Sequence, residues 1–491
     1  MINPKSNEIK ELAKEYSILP ICREMYADVI TPITLLRKLS GVSKQYFLLE
    51  SVEGGERWGR YSFLGFDPII HVTCKNGLIT ETDNNKSIEI TKDPFEYIRD
   101  ILNKYKAPRL RSLPPFTGGL VGYFGYEMIG YAESVLKLKK SDFHDFDLML
   151  FDKVIAYDHL KQKINIIVNM KTDSLMENYD KALSDIDKIV SLINEPLTIK
   201  KKVIKSSPDF LCNVNKEEFC KMVERTKEYI RDGDIFQAVV SRRFETNYKD
   251  SLINGYRVLR TSNPSPYMVY LQNGETEIMA SSPETLVRVK HGRVTTFPIA
   301  GSRPRGKNRE EDLFLENELL NDQKEISEHN MLVDLARNDL SMISKIDSVN
   351  VVRYMEIQKY SRIMHITSEV EGELEEERDI VDALKALLPA GTLSGAPKIR
   401  ACEIIDELEP DPRGIYGGAI GYMDFTGNMD TCIAIRMAVK KDNKVYVQAG
   451  AGIVADSVPH KEYEESQNKA NAVIEALINA GEVEKYDSYN R

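Results

Sequence analysis

One stretch near the C-terminus constrains the fold most, because a strand pattern changes there to a helix pattern across a run of small residues. The β-branched and aromatic residues of 445–448 (VYVQ) indicate a buried strand. The small residues of 449–452 (AGAG) predict a turn whose backbone N–H groups a ligand can approach closely. From Ala470 onward the apolar residues recur at helical spacing, which predicts a helix.

Carried back toward its start, this helix places three charged residues on one face. Glu462, Glu465 and Lys469 are three and four residues apart, and residues at those spacings are neighbours on a helix. Two carboxylates and an ammonium group beside accessible backbone can bind a metal and an anionic substrate. The alternative is a solvated helix face with a weak ion pair, since exposed charge pairs are common and contribute little to stability.

Composition limits the classes of protein to which the chain can belong. Its 491 residues with a hydrophobic fraction of 42% allow sizeable cores in roughly two to four domains or fewer large ones. The formal net charge of −10 argues against a general nucleic-acid binder. The N-terminus lacks the apolar core of a signal peptide, and no apolar run approaches the ~20 residues that span a bilayer. We therefore expect a cytoplasmic protein that binds neither nucleic acid nor a membrane.

A short basic stretch, 200–207 (KKKVIKSS), stands before Pro208 and is the best candidate for a linker. Residues 1–205 upstream of it form a predicted N-terminal β-rich region. Residues 206–491 downstream form a second predicted region, in which strand and helix patterns alternate irregularly. Irregular alternation favours an α+β (mixed α/β) class over a regular doubly wound sheet.

A second pair of carboxylates stands in a long helical pattern over residues 310–340. On that helix Glu325 and Glu328 share a side with the leucine stripe that begins at Leu332. Buried carboxylates are costly unless they are paired or bind a cation, so this pair is a candidate metal site. Two glutamate pairs, one on each helix, can supply the all-oxygen ligation that suits Mg²⁺. The alternative is a helix face that changes from polar to apolar at Leu332.

The most distinctive motifs of the chain lie between residues 209 and 480. They are 298–306 (PIAGSRPRG), 325–339 (EISEHNMLVDLARND), 364–372 (MHITSEVEG), 387–398 (LLPAGTLSGAPK) and 430–436 (DTCIAIR). Together with 445–472, they resemble the chorismate-utilising enzymes. Three further motifs, 48–51 (LLES), 59–65 (GRYSFLG) and 263–268 (NPSPYM), are similar to the large subunits of anthranilate synthases within that family. The resemblance implies two β-sheets packed as a sandwich and flanked by helices, with an N-terminal regulatory region before a chorismate-binding catalytic domain.

By this resemblance the chain is a lyase that converts chorismate and ammonia into anthranilate and pyruvate, the first committed step of tryptophan biosynthesis. The family reaction adds ammonia at C2 of chorismate with loss of the C4 hydroxyl, and then eliminates pyruvate to aromatise the ring. The family pattern implies Mg²⁺ as cofactor, with Glu325, Glu328, Glu462 and Glu465 as its ligands. The metal would bind the ring carboxylate of chorismate. The same four carboxylates form the two glutamate pairs on the predicted helices.

The resemblance also implies a set of substrate contacts. They are Gly301, Ser302, Tyr416, Arg436, Ala449, Gly450, Ala451, Gly452 and Lys469. Tyr416, Arg436 and the backbone of 449–452 resemble the group that binds the enolpyruvyl carboxylate, for which a guanidinium has matching geometry. The alternative for Arg436 is a surface arginine, but its place in a predicted apolar strand, 432–439 (CIAIRMAV), favours a buried anion partner. Ser302 stands where the family usually has threonine, so the hydroxyl is kept.

Three residues are implied to act at the reacting atoms, and they are Glu284, His365 and Thr392. Glu284 matches the family's general acid for the leaving hydroxyl, a role that needs burial to keep it protonated. The alternative is an ordinary turn glutamate after Pro283. His365 matches the histidine beside the substrate ring, and it either orients the substrate or assists the elimination. Thr392 would contact the substrate through its hydroxyl.

Ala300 distinguishes between members of the family. Relatives that make 4-amino-4-deoxychorismate place a lysine nucleophile at this point, whereas alanine cannot attack C2. The residue therefore favours the ortho product, anthranilate. The nearest alternative function is synthesis of 4-amino-4-deoxychorismate. An alternative of another class is a tryptophan-binding regulatory protein without catalysis, against which the glutamate pairs, Glu284 and His365 argue.

A separate partner is expected to supply the ammonia. None of the six cysteines lies in the G-x-C-x-G nucleophile elbow that a glutamine amidotransferase needs. We therefore expect a glutamine amidotransferase subunit (component II) in a hetero-oligomer of two large and two small subunits.

A tryptophan inhibition site is implied by the same resemblance. Its predicted residues are Glu50, Ser51, Pro266, Tyr267, Met268, Ile420, Tyr422 and Cys432. Glu50 would bind the ammonium group of L-tryptophan, and apolar walls would bind its indole. The alternative is that LLES and NPSPYM are a strand end and a turn, since Pro and Asn commonly mark turns.

Overall fold

The computed structural model describes residues 2–28, 30–51, 59–83, 86–197, 208–360 and 363–483. Within these ranges, two antiparallel sheets of 13 and 12 strands pack face to face, and helices cover the outside. This architecture confirms the predicted mixed α/β class with two packed sheets. No helix in the described ranges is long and apolar enough to cross a membrane.

The strands are numbered in chain order through both sheets. They are β1 (Ile2–Asn3), β2 (Ile18–Tyr26), β3 (Tyr46–Glu50), β4 (Tyr61–Phe66), β5 (Ile70–Lys75), β6 (Leu78–Asp83), β7 (Lys86–Ile90), β8 (Gly119–Phe124), β9 (Phe146–Phe151), β10 (Lys153–Asp158), β11 (Lys163–Lys171), β12 (Leu211–Cys212), β13 (Gln237–Asn247), β14 (Tyr267–Gln272), β15 (Thr276–Ser282), β16 (Thr285–Lys290), β17 (Arg293–Thr296), β18 (Ile299–Pro304), β19 (Asn350–Lys359), β20 (Ile363–Glu373), β21 (Gly395–Ala396), β22 (Ala419–Asp424), β23 (Met429–Ile433), β24 (Met437–Lys441) and β25 (Lys444–Ile453).

The helices are numbered in the same way. They are α1 (Ser6–Leu12), α2 (Pro32–Val42), α3 (Pro94–Lys104), α4 (Ile129–Ala132), α5 (Leu175–Asn194), α6 (Lys216–Arg231), α7 (Ile253–Ser262), α8 (Arg309–Asn321), α9 (Gln323–Ser341), α10 (Ile380–Leu387), α11 (Lys398–Leu408) and α12 (Pro459–Ile478), with 3₁₀ turns at Tyr126–Met128 and Asn479–Gly481.

Both sheets take strands from either side of the predicted boundary at residue 205. The first sheet has the order β1-β2-β11-β10-β4-β3-β14-β15-β24-β25-β13-β12, with β21 beside β13. The second has the order β18-β20-β17-β16-β23-β22-β8-β9-β5-β6-β7, with β19 beside β20. The predicted linker 200–207 lies outside the described residues, and the division at that point stays a prediction. What the structure shows is that the parts before and after it share both sheets.

The main hydrophobic core lies between the two sheets. Aromatic rings meet edge to face there, with ring centres 4.8 Å apart for Phe47 and Phe151 and 5.5 Å apart for Phe63 and Phe116. A second core lies on the other face of the first sheet, under α2, α5, α7 and α12. Apolar burial of this kind stabilises by about 25 cal/mol per Å². The second core fixes α12 against β25, which carries the small residues 449–452.

Three predictions of local structure are wrong. The predicted helix over 310–340 is in fact two helices. The carboxylate of Asp322 accepts hydrogen bonds from the N–H groups of Lys324 and Glu325, so a second helix, α9, begins after it. Residues 449–452 form no turn but continue β25, paired with β13. Arg436 lies in no continuous strand, since β23 ends at Ile433 and β24 begins at Met437.

Gly122 of β8 provides a test of how closely the strands of the second sheet approach each other. A Cβ atom at this position would stand 1.9 Å from the carbonyl oxygen of Asp147 and 2.9 Å from the Cα of Leu148, both in β9. Backbone atoms of a central strand cannot move away without breaking its pairing. We expect Gly122→Ala to lower the free energy of unfolding by about 1–3 kcal/mol and to lower the midpoint of thermal unfolding.

Gly130 supplies the matched control, because a Cβ there meets nothing within 4 Å. It lies in α4, where alanine is the better helix former, so Gly130→Ala should leave the midpoint unchanged or raise it. Equal midpoints for Gly122→Ala and the unaltered protein would contradict the packing described here.

Candidate active site

Glu328 of α9 and Glu465 of α12 lie within electrostatic range of each other. Burial and the negative charges of Glu325 and Glu465 raise the pKa of the Glu328 carboxyl. Burial also raises the pKa of Glu462, which Glu465 raises further and a hydrogen bond from Ser457 lowers. The four glutamates predicted to bind metal are therefore coupled electrostatically, Glu325 and Glu465 to Glu328 and Glu465 to Glu462.

The chemistry of this group fits Mg²⁺, although no coordination sphere is assembled. Within the described ranges, no group of three or more His, Cys, Asp or Glu side chains is arranged to hold a metal ion. Mg²⁺ keeps several waters and commonly takes only one or two carboxylates from a protein, so it does not require such a group. The raised pKa values of Glu328 and Glu462 indicate negative charge that a cation would balance. The oxygen donors thus suit the predicted metal.

Lys469 connects the carboxylates of α12 to the small residues of β25. Its Nζ donates to the carbonyl oxygen of Gly450 at 3.1 Å and lies 2.6 Å from Oε1 of Glu465. Its positive charge also lowers the pKa of Glu284. Lys469 is therefore close to both the predicted metal ligands and the predicted acid.

Glu284 lies in the connection between β15 and β16 beside a small cavity. Burial raises the pKa of its carboxyl to about 7, although Thr392 and Lys469 lower it in part. The cavity, about 50 Å³ in volume, is lined by Glu284, Thr392, Leu335 and Ile433 among others. The Thr392 hydroxyl lies against Glu284, but it is buried and makes no hydrogen bond of good geometry within the described residues. A carboxyl in this setting keeps its proton near neutral pH, as a general acid requires.

Arg436 presents an enclosed guanidinium that forms no ion pair among the residues that the structure describes. Its backbone has φ = +50°, a conformation that L-residues seldom adopt and that often marks a functional position. Burial lowers the pKa of this guanidinium, while Tyr416 and Glu465 favour its charged form. Within the described ranges it makes no side-chain hydrogen bond and no ion pair. An enclosed guanidinium without a counter-charge is a binding site for an anion.

The edge of β25 beside Arg436 offers backbone groups to the same anion. β24 pairs with β25 only at 444–447, so from Gln448 onward this edge of β25 faces no strand among the described residues. The Tyr416 side chain contacts the backbone of Gly450. A Cβ at Gly450 would lie 2.4 Å from the carbonyl oxygen of Val240, which is why glycine is needed. Tyr416, Arg436 and 449–452, the predicted carboxylate-binding group, lie together.

His365 lies in β20, so it approaches the candidate site from the second sheet. Its Nδ1 lies 2.9 Å from the carbonyl oxygen of Gly301, and because a carbonyl only accepts, Nδ1 carries the hydrogen. Burial lowers the pKa of the imidazole and the charge of Arg436 lowers it further, so the ring is neutral with Nε2 as an acceptor. Ser302 lies opposite His365 in the β18–β20 pairing. Gly301 has φ = +65°, and a Cβ there would stand 3.0 Å from Oε2 of Glu325.

Comparison with known proteins identifies the family. The chorismate binding enzyme family matches residues 44–475. The chain belongs to this family. Anthranilate synthase component 1 of Acetivibrio thermocellus is 49% identical over 497 residues, which cover 98% of this chain and 100% of that protein. Anthranilate synthase component 1 of Aquifex aeolicus is 45% identical over 484 residues, 97% of this chain and 98% of that protein.

Solved structures agree with this assignment. Anthranilate synthase component I from Streptococcus pneumoniae TIGR4 superposes with a TM-score of 0.77 at 37% identity, covering 92% of this chain and 99% of that one. The menaquinone-specific isochorismate synthase of Escherichia coli superposes with a TM-score of 0.69 at 19% identity, covering 96% and 98%. At that identity the likeness is one of fold alone. The resemblance predicted from the motifs is confirmed.

The residues predicted to bind tryptophan fall into two groups. Glu50 and Met268 lie opposite each other in the β3–β14 pairing, on the face of the first sheet that α7 covers. The carboxylate of Glu50 is buried and accepts hydrogen bonds from Tyr256 at 2.8 Å and from Arg260. Ser51 directly follows β3. Glu50 thus already has a cationic partner before any ligand ammonium arrives.

The second group lies between the sheets. It comprises Tyr267, Ile420, Tyr422 and Cys432. The Tyr267 hydroxyl donates to Asp430 at 2.7 Å, and Pro266 lines a separate small cavity. The structure therefore does not bring all eight predicted residues to one face of a sheet.

Sequence reasoning missed three charged or polar residues around the carboxylates. Lys324 lowers the pKa of both Glu328 and Glu462, and the hydroxyl of Ser457 contacts Glu462. Arg303 lies 3.6 Å from Glu325 and 2.9 Å from Asp322. The position of Lys324 next to Glu325 was visible in the sequence, but an exposed lysine at a helix start carries no specific signal.

The raised pKa of Glu284 predicts a pH-dependent stability. The folded-state pKa of about 7 exceeds the ordinary value of 4.5, so the folded protein binds the extra proton between these values. The stability that this proton contributes is present below about pH 4.5 and is lost as the pH rises through 7. Glutamine does not titrate, so Glu284→Gln should gain stability relative to the unaltered protein by up to about 3 kcal/mol between about pH 5 and 8.

Urea unfolding at a series of pH values measures this difference. Glu376→Gln, at an exposed glutamate, supplies the control and should show a constant difference. A constant difference for Glu284→Gln as well would mean that Glu284 ionises in the folded state as it does in solvent.

Proposed function

We propose that the chain is the large subunit of an anthranilate synthase, which converts chorismate and ammonia into anthranilate and pyruvate. The relatives that match nearly its whole length carry that name. The observation that carries the proposal is the arrangement around Lys469. This residue lies between a carboxyl whose pKa is about 7, Glu284, and the four electrostatically coupled glutamates.

The two carboxylates of chorismate find different partners in this site. The unbalanced guanidinium of Arg436, the phenol of Tyr416 and the free edge of β25 suit the enolpyruvyl carboxylate. The ring carboxylate then points toward the glutamate cluster. Four negative side chains cannot bind a carboxylate unless a cation stands between them, so this end of the site requires one.

Mg²⁺ is the proposed cation, held by Glu325, Glu328, Glu462 and Glu465. When bound, it supplies positive charge that orients the ring carboxylate and offsets charge during displacement. Lys469 adds a second positive charge on the same side, and its hydrogen bond to the Gly450 carbonyl holds it in place.

Glu284 acts as the general acid in this proposal. Its proton goes to the C4 hydroxyl, which leaves as water while ammonia adds at C2. The Thr392 hydroxyl contacts the carboxyl and helps to set its pKa. Loss of pyruvate then aromatises the ring. His365 is neutral with Nε2 as an acceptor, which suits either of its two predicted roles, orienting the ring or assisting this elimination.

Ala300 supports anthranilate as the product. It is buried in β18 opposite Ile366, and a methyl group there cannot attack C2 of chorismate. Synthesis of 4-amino-4-deoxychorismate has no such support.

We also propose a glutamine amidotransferase partner, component II, as the source of ammonia, because the relatives are named as first components. The reaction would be the first committed step of tryptophan biosynthesis. The stoichiometry of two large and two small subunits and the cytoplasmic location stay predictions.

The test uses the purified chain with chorismate, Mg²⁺ and ammonium at mildly alkaline pH. We expect anthranilate, identified by its fluorescence and by chromatography, and we expect its formation to stop when EDTA removes the metal. Glu284→Gln cannot donate the proton and should lower kcat by roughly 10²- to 10⁴-fold with little change in KM.

Each other outcome of this experiment has a definite meaning. A para-amino product would show that the reading of Ala300 is wrong. Full activity in EDTA would overturn the magnesium proposal, and full activity of Glu284→Gln would overturn the assignment of the acid. No turnover with the glutaminase partner and glutamine present would favour a regulatory protein without catalysis.

We propose that tryptophan inhibits the enzyme by binding near Glu50 and Ser51. Pairings between adjacent strands and one backbone hydrogen bond connect Glu50 to the proposed substrate site. Glu50 lies opposite Met268, Met268 lies opposite Ser281, and the N–H of Ser281 donates to the carbonyl oxygen of Arg436 at 3.0 Å. A ligand that displaces β3 would therefore act on the residue that binds the substrate carboxylate.

Ser51→Phe tests this site. The ring would occupy the position proposed for the inhibitor, so we expect anthranilate synthesis to continue while inhibition by tryptophan disappears. Ser191→Phe, at an exposed serine of α5, is the control and should keep normal inhibition. Undiminished inhibition of Ser51→Phe would show that tryptophan binds elsewhere.

A further inference from the structure

A buried ion pair stands behind the proposed substrate site. The side chains of Arg413 and Glu409 are only 2% and 3% exposed. Nη2 of Arg413 lies 2.6 Å from Oε1 of Glu409, and Nε lies 3.0 Å from Oε2. The guanidinium also packs over the ring of Tyr126, 4.6 Å from its centre. Both side chains of this two-pronged pair are enclosed by the protein.

The remaining hydrogen bonds of the pair go to backbone atoms of other segments. Arg413 donates to the carbonyl oxygens of Leu393 and Val239. Oε1 of Glu409 accepts from the N–H of Ser241 at 2.7 Å and from its hydroxyl at 2.8 Å. The pair therefore joins β13 to the segment that precedes β21.

Each of these segments carries a proposed substrate contact or pairs with a strand that does. Leu393 follows Thr392, the hydroxyl next to Glu284. Ser241 and Val239 of β13 lie opposite Gly450 and Gly452 of β25. The ion pair thus bonds to the residue next to Thr392 and to the strand that pairs with 449–452, and Arg413 stands three residues before Tyr416.

Stability alone does not account for this arrangement. The desolvation of a buried ion pair can exceed its Coulombic attraction, and apolar residues of similar volume often serve the fold equally well. The planar guanidinium, by contrast, can hold two carbonyl oxygens and a carboxylate at fixed angles, which no apolar side chain can do. The loop after Arg413 is also held from its other side, where the N–H of Gly414 donates to Glu127 at 2.9 Å.

We propose that Arg413 and Glu409 are positioning residues for the synthesis of anthranilate, holding Thr392, the β25 edge and Tyr416 in register. This inference rests on the proposed function. Neither residue touches substrate, so both act through the segments that they bind. An error of about 1 Å in such a segment can cost 10²-fold in rate.

The decisive variant replaces both partners, Arg413→Met with Glu409→Leu. Replacing both leaves no buried charge without a counter-ion, so the fold is kept. We expect kcat to fall at least about 10-fold and the affinity for chorismate, measured by calorimetry, to weaken by a similar factor. We also expect the alkaline limb of the kcat profile to move to higher pH, because Thr392 lowers the pKa of Glu284 and would no longer be held against it.

Arg413→Lys is the conservative variant. Lysine keeps the pair with Glu409 but lacks the planar fork that reaches both carbonyl oxygens, so its kcat should lie between those of the double variant and the unaltered enzyme. The control is the double variant Arg60→Met with Asp158→Leu. It removes another two-pronged pair, at 3.3 and 2.9 Å between β4 and β10, and should leave kcat and the pH profile unchanged.

Circular dichroism and the thermal midpoint establish that each variant is folded. A folded Arg413→Met/Glu409→Leu protein with normal kcat, chorismate affinity and pH profile would overturn the inference. If that protein does not fold, Arg413→Lys decides in the same way, by its kcat and its pH profile. Failure of the unaltered enzyme to make anthranilate would contradict the proposed function instead, and the chorismate affinities of the variants would still decide the positioning role.

Discussion

A charge taken out of water must be balanced by a partner or by a ligand. In this protein the paired buried charges support the fold, and the unpaired ones lie in the candidate active site. Arg413 and Glu409 balance each other, and so do Lys398 and Asp339, which lie 3.1 Å apart. These pairs are complete without a ligand. Arg436 has no ion-pair partner within the described residues, and burial and the charge of Glu325 raise the pKa of Glu328 although Lys324 lowers it in part. The unbalanced groups mark the positions where a charged substrate and a metal would bind.

The helix α12 carries Glu462, Glu465 and Lys469 of the candidate site, and its own position follows from packing. Val473 and Leu477 are buried against the first sheet, which fixes the distance between α12 and β25. Arg242 of β13 adds a specific anchor, since its guanidinium lies 3.8 Å from the ring centre of Tyr463 and donates to Ser466 at 3.0 Å. Hydrophobic burial elsewhere on the helix thus offsets the cost of holding two carboxylates close to those of α9.

The spacing of residues in the sequence predicted those parts of the site that lie on a single helix. Glu462, Glu465 and Lys469 lie on one helix, and their relation follows from its 3.6-residue repeat. The strand 449–452 was not predictable in this way, because its small residues suit a turn until β13 is known to pair with them. The break at Asp322 was also missed, since an acidic residue inside a helical pattern becomes an N-cap only when the chain bends there.

The contacts of Arg413 could not be predicted from the spacing of residues in the sequence. Its partners Leu393, Val239 and Ser241 are distant in sequence, and only the sheet topology brings them to one guanidinium. Arg436 is a similar case, because its apolar neighbours predict a strand and its positive φ depends on the ends of β23 and β24. Motif resemblance found Arg436 and Glu284 but gave no physical reason for their positions, and burial in the structure supplies that reason for Glu284.

The shared sheet has a consequence for control of the enzyme. In a protein of two separate domains, an inhibitor bound to one would act on the other through a hinge or an interface. Here β3 of the N-terminal part and β15 of the C-terminal part are both hydrogen-bonded to β14, and the backbone of Ser281 in β15 bonds to Arg436. Glu50 is already bound by Arg260, so a ligand ammonium group would have to share or replace that partner. Either change would shift the end of β3 and, through two strand pairings, the arginine proposed to bind the substrate carboxylate.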